Sequence, residues 1–103
     1  MTAVTYRGKN GDHSLEISGH ANYAEHGKDI VCAAATTLFY TLLYALEGED
    51  DIDMDYSVTP GAARVTARGT SQKGAAMCDT LFGAMAGGYE MLAAKYPEHV
   101  KIT

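Results

Sequence analysis

DIVCAAATTLFYTLLYALEG, residues 29–48, is the stretch that decides the architecture of this chain. From Ile30 to Leu46 it carries no charge, yet it holds Thr36, Thr37, Tyr40, Thr41 and Tyr44 and falls short of the roughly 20 apolar residues that cross a bilayer. It reads as a buried helix over about 30–47 rather than a membrane segment. Asp29 stands at the N-cap position, where a carboxylate accepts the orphan amide protons of the first turn. Val31, Ala35, Leu38, Leu42 and Leu46 recur at helical spacing, and Thr37, Thr41 and Tyr44 make a milder opposite face. The expectation is a central helix covered on both sides.

Upstream, Thr2–Tyr6 and Ser14–Ser18 alternate in polarity around Lys9-Asn10-Gly11-Asp12, whose Asn-Gly pair is hairpin chemistry. GHANYAEHGKD, residues 19–29, has no sustained period and reads as an exposed loop. Downstream, EGEDDIDMD is acidic and turn-like, and Asp55–Thr59 and Ala63–Arg68 flank Pro60-Gly61, a type II turn pair that predicts a second hairpin. From Ser71 to Tyr96, the positions Cys78, Phe82, Met85, Tyr89, Leu92 and Tyr96 draw one stripe along a second helix that Pro97 stops. Gly74, Gly83, Gly87 and Gly88 weaken that helix, which suggests the close approach of another backbone: the sheet, the first helix or a second copy of the chain. A terminal strand at Val100–Thr103 completes β-β-α-β-β-α-β, an α+β class in which two hairpins and the last strand form a sheet with two helices packed on it. No linker divides residues 1–103, which are expected to form one domain.

The chain has 103 residues, a size for one core, and alanine is its commonest residue, so close backbone packing must replace bulk. Thirteen acidic against eight basic side chains give a net charge of −5, which argues against nucleic acid or an anionic membrane as partner because nothing neutralises phosphate. Two cysteines, Cys32 and Cys78, cannot build a multi-bridge secreted framework, and MTAVTYRGKN lacks the order of a signal peptide. A reduced, cytoplasmic chain is expected.

Cys32 falls in the first turn of the first helix, where unpaired amide protons and the positive end of the helix dipole favour a thiolate. His20 ends the second strand, twelve residues upstream across a loop that can fold back, and a histidine there can serve as proton acceptor and donor. The Cys32 amide and its neighbours are candidates for an oxyanion hole, and Asp29 can cap the helix with one oxygen and orient His20 with the other. Two other readings stand beside this one. His20, His26 and Cys32 are zinc-ligand types at intervals of six, though three ligands are too few for a closed structural site. The helix faces can instead belong to a non-enzymatic, dimeric or otherwise partner-binding interaction module in which Cys32 is incidental. Cys78, on the apolar stripe, reads as core, and His13 and His99 have no partner that the sequence identifies.

GHANYAEHGKDIVCAAATTL, residues 19–38, resembles the signature of the ribosomal-processing cysteine protease family, Prp: Gly-His-Ala, a short loop ending in Gly, then Asp-Ile-Val-Cys-Ala. Chain length and element order resemble the family too. The resemblance implies that Cys32 is the nucleophile and His20 its general base and acid, with no metal or cofactor. It implies a cytoplasmic endopeptidase that removes the N-terminal extension of large-subunit ribosomal protein number twenty-seven in support of ribosome assembly. It further implies a homodimer and a substrate loop, Ala21–Lys28, entered at Gly19, with Gly27 as hinge and Tyr23 able to press on the peptide. Ala33-Ala34-Ala35-Thr36 departs mildly from the family, where a larger β-branched residue and a serine are frequent; that bears on substrate fit rather than on the chemistry.

Overall fold

Asn10 and Gly11 both take positive φ, 54° and 79°, as the two-residue turn of a tight hairpin requires. They join β1 (Thr2–Lys9) to β2 (Asp12–Ser18) in the computed structural model, which describes residues 1–103. The element order continues through α1 (Ile30–Glu47), β3 (Ile52–Thr59), β4 (Ala62–Gly69), α2 (Gln72–Lys95) and β5 (Val100–Ile102), as the periodicity predicts. The five strands form one sheet in the order β3-β4-β2-β1-β5. Its joins are antiparallel except β1 with β5, where Thr2 pairs with Val100.

Alternation along the strands sends Val4, Leu15, Val65, Ala67 and Ile52 to one face, where they are buried under the helices. The other face is open and polar; there Arg64 reaches Asp55 at 3.5 Å and Arg68 reaches Asp53 at 3.4 Å, exposed pairs of small energetic weight. Strand β3 is longer than the sequence predicts. Its first half lies in the acidic stretch that reads as a turn, and Ile52 and Met54 face the core while Asp53 and Asp55 face solvent.

Helix α2 lies on the sheet with Cys78, Phe82 and Tyr89 fully buried. Gly74 and Gly88 are the close approaches expected of its glycines: a Cβ on Gly74 would run into the Asp51 carbonyl, and one on Gly88 would lie 3.0 Å from a Leu38 methyl. Gly83 and Gly87 face open space instead.

Helix α1 packs beside α2 and buries Val31, Ala35, Phe39, Leu42, Leu43 and Leu46. Contrary to the reading of its uncharged run as too short, the 18-residue helix is long and apolar enough to cross a membrane by length and composition alone, but its buried stripe is part of the single core. The expectation of a helix covered on both sides is corrected. Thr37, Thr41 and Tyr44 face solvent, Tyr44 at 82% exposure, because the helical layer is one helix deep and α1 meets protein only on the side turned to α2 and the sheet. The start of α1, the end of β2 and the β3–β4 turn come together at one end of the sheet.

Candidate active site

The first turn of α1 begins with Asp29, whose extended backbone and side chain form the N-cap. The Cys32 amide donates to Asp29 Oδ1 at 2.9 Å, and the Tyr23 amide donates to Oδ2 at 2.9 Å, so one carboxylate holds both the helix start and the preceding loop. Burial alone would raise the Asp29 pKa, but the amides of Cys32, Tyr23, Ala24 and Val31 outweigh it and hold the carboxyl below its usual range. These bonds occupy the amide expected to line an oxyanion hole: the Cys32 N–H points at Asp29, and the Ala33 N–H closes on the Asp29 carbonyl at 3.0 Å. His20 is not among the partners of Asp29, whose oxygens are taken by backbone.

His20 stands between two fixed residues. Gly19 has φ 81°, and its N–H donates to the Gly61 carbonyl at 2.8 Å. A side chain at Gly19 would strike the Met1 carbonyl oxygen, so only glycine fits there. Ala21, on the other side, is 1% exposed. Gly61, in the Pro60-Gly61 turn with φ 78°, floors the His20 ring; a Cβ there would lie 3.3 Å from His20 Nε2. The turn chemistry of Pro60-Gly61 was legible in the sequence, but its place beneath His20 was not.

Cys32 is half-buried and His20 exposed, and both line two adjoining cavities. The larger, about 630 Å³, lies on the loop side and is walled by Asn22, His26, Gly27 and Asp29. The smaller, about 220 Å³, is more apolar and is walled by Ile17, Phe39, Tyr40, Val58 and Ala63. Thr36, one turn after Cys32, lines both. A chain laid through the two cavities passes over the thiol and the imidazole.

The remaining sequence candidates divide. Gly27, with φ 87° and open space where a side chain would stand, belongs to the cavity wall. Tyr23 points elsewhere, packing edge-on against Tyr96 and His99 at ring distances of 5.4 and 5.3 Å. His26 shares the larger cavity with His20 and Cys32, but the three do not converge on a point where a metal ion could be held. Cys78 is fully buried, and burial, with Asp79 and Asp12 nearby, pushes its thiol up. His13, which the sequence leaves without a partner, is buried at 5% exposure with Nε2 2.6 Å from Asp79 Oδ1 and Nδ1 2.9 Å from the Tyr6 hydroxyl, away from the cavities.

A cysteine at a capped helix start and a histidine on the same cleft, in an α+β sheet with two helices on one face, are the parts that a cysteine-type peptidase requires. The cysteine protease Prp family model matches residues 1–101, and the chain belongs to that family. It is similar to the ribosomal processing cysteine protease Prp of Bacillus subtilis (strain 168), with 48% identity over 33 residues; the match spans 32% of this chain and 30% of that protein. Among solved structures, the essential ribosomal processing protease Prp from S. aureus, in complex with a covalently linked product peptide, aligns with a TM-score of 0.83 and 21% identity over 100% of this chain and 98% of that one. The same S. aureus protease with a substrate peptide gives 0.77 and 20%. A Streptococcus mutans protein aligns at 0.70 with 32% identity, covering 100% and 94% of the two chains.

Proposed function

We propose that this chain is an endopeptidase that removes the N-terminal extension of large-subunit ribosomal protein number twenty-seven, with Cys32 as nucleophile and His20 as general base and acid. The observation that carries the reading is that Cys32 and His20 line the same two cavities, with room for peptide on either side. Support comes from the family and from the named task of the relatives, ribosomal processing.

In this mechanism His20 takes the proton from Cys32 Sγ as the sulfur attacks the scissile carbonyl carbon. The tetrahedral intermediate collapses, the C–N bond breaks, and His20 delivers the proton to the leaving amine. Water, deprotonated by His20, then attacks the thioester; the carbonyl–sulfur bond breaks and the proton returns to Cys32. Exclusion of water from the first step falls to the loop wall at Asn22–Gly27, and orientation of the peptide falls to the apolar cavity.

A ribosomal-protein substrate is cationic, and a chain of net charge −5 attracts it, an effect that salt screens. The cytoplasm keeps thiols reduced, which suits an unpaired Cys32 and Cys78, and we include a cytoplasmic location in the proposal. Tyr40, Tyr44 and Met91, exposed at 50, 82 and 74%, leave apolar surface on the helical layer that suits a second copy, and we include a homodimer in the proposal; a monomer in sedimentation equilibrium at micromolar concentration overturns that part.

The deciding experiment incubates a peptide spanning the extension and its junction with native chain, Cys32→Ala and His20→Ala. Native chain alone should cut it. Cleavage by both variants at the native rate defeats the mechanism, and an uncut peptide defeats the substrate.

A further inference from the structure

We infer that His99 is the positioning residue of His20, acting through a hydrogen bond from its Nδ1–H to the carbonyl oxygen of Ala21. The inference rests on the proposed role of His20 as base, and it answers a question that the site leaves open. The imidazole of His20 makes no hydrogen bond within the chain, and Asp29 is occupied by amides, so the ring is aimed by the backbone that carries it and by the Gly61 floor beneath it.

That backbone is held on both sides. Upstream is the Gly19 bond to Gly61. Downstream, His99 Nδ1 lies 2.9 Å from the Ala21 carbonyl oxygen. A carbonyl only accepts, so Nδ1 carries the hydrogen. Ala21 is 1% exposed, and without His99 its carbonyl would lose this partner in a place that water reaches poorly.

His99 is itself fixed. Its N–H donates to the Tyr96 carbonyl at 2.9 Å, and its carbonyl accepts the Thr2 N–H at 2.9 Å, which ties it to the end of α2 and the start of β1. Tyr23 stands edge-on to its ring and to Tyr96. The loop thus has an anchored first part, Ala21–Tyr23, clamped by the turn that follows α2, and a second part that walls the cavity. Residues 78 positions apart in the chain meet one residue after the base.

Two substitutions separate hydrogen bonding from packing. His99→Phe keeps a ring against Tyr23 and Tyr96 but has no donor; His99→Asn loses the ring but keeps an N–H near the Nδ1 position. Rates on the extension peptide are taken per Cys32 thiol titrated in folded protein, so a loss of folded fraction does not enter. The inference expects kcat of His99→Phe to fall about tenfold, since small misplacement of a reacting group is costly, with KM within about twofold and His99→Asn close to native. A fast His99→Phe, or a His99→Asn as slow as His99→Phe, overturns it. His20→Ala is measured alongside: if it cuts like the native chain, the dyad fails and this inference with it, whereas an inactive His20→Ala beside a fast His99→Phe removes the inference alone.

Discussion

Cys32 and Asp29 are joined by a hydrogen bond of 2.9 Å from the Cys32 amide to Asp29 Oδ1, while the other oxygen of the same carboxylate holds the Tyr23 amide at 2.9 Å. Cys32 and the loop that walls the cleft therefore share one anchor. Asp29→Asn tests this without removing the cap, since an amide oxygen can still accept from Cys32 while its NH₂ meets the Tyr23 amide donor to donor. The expected result is a helix that stays capped, a loop that loosens, and kcat/KM lower by about tenfold. Steady-state kinetics and hydrogen exchange at the Tyr23 amide check it.

The same anchor sets a pH dependence. The Asp29 carboxyl is held below its usual range in the folded chain, so its contribution is present above the ordinary carboxylate pKa of about 3.9 and is lost as pH falls through the lower folded value. The Tyr23 and Cys32 amide shifts in NMR should move together, with a midpoint below the ordinary carboxylate value. Titration of both with a midpoint above pH 4 goes against the assignment.

Much of this was legible in residues 19–38, where the Asp29 cap, the helix start at Ile30 and the placing of Cys32 and His20 follow from local chemistry. The hairpin turns were legible for the same reason: Asn10-Gly11 and Pro60-Gly61 encode their dihedrals in two residues. What escaped is set by distant partners. His13 gains a role only when α2 brings Asp79 to it, across 66 positions. Ile52 and Met54 alternate with Asp51, Asp53 and Asp55, but aspartate is a poor strand former and a frequent turn residue, so the stretch reads as a turn until β4 pairs with it. The open face of α1 escaped because alanine, threonine and tyrosine tolerate both burial and solvent.

Gly61 offers a local test of the floor beneath His20. Gly61→Ala meets a φ of 78°, which costs a residue with a Cβ about 1–2 kcal/mol, and puts that Cβ 3.3 Å from His20 Nε2. The expected variant folds with a lower melting temperature and cuts more slowly than its folded fraction explains. A Ser57→Gly control, which weakens the same hairpin at a strand residue outside both cavities, distinguishes hairpin weakening from contact with the ring.

The two thiols should part in reactivity. Cys32 lines both cavities, whereas Cys78 is 0% exposed and its thiol is pushed up by burial and by Asp79 and Asp12. Iodoacetamide on folded chain at neutral pH should add one group, mapped to Cys32 by mass spectrometry, and two only after unfolding. Equal labelling of both in the folded chain contradicts the packing of α2 on the sheet.

Asp79 ties the first hairpin to α2, accepting from His13 at 2.6 Å and from the Gly11 amide at 2.9 Å, and these bonds hold its carboxyl below the usual range. A depressed folded pKa means that the stabilisation is present above the unfolded value of about 3.9 and disappears as pH falls through the folded one. Asp79→Asn removes the charge but keeps the shape, so it should unfold at lower urea than the native chain at pH 7. Below the folded pKa the native carboxyl is protonated, and the two midpoints should converge. Urea titrations at pH 7, 5, 4 and 2.5 measure this, and a gap that stays constant across the series would show that the carboxylate charge is not what joins the hairpin to the helix. Cleavage per titrated Cys32 should be unchanged in the same variant, because the His13–Asp79 pair lies outside both cavities.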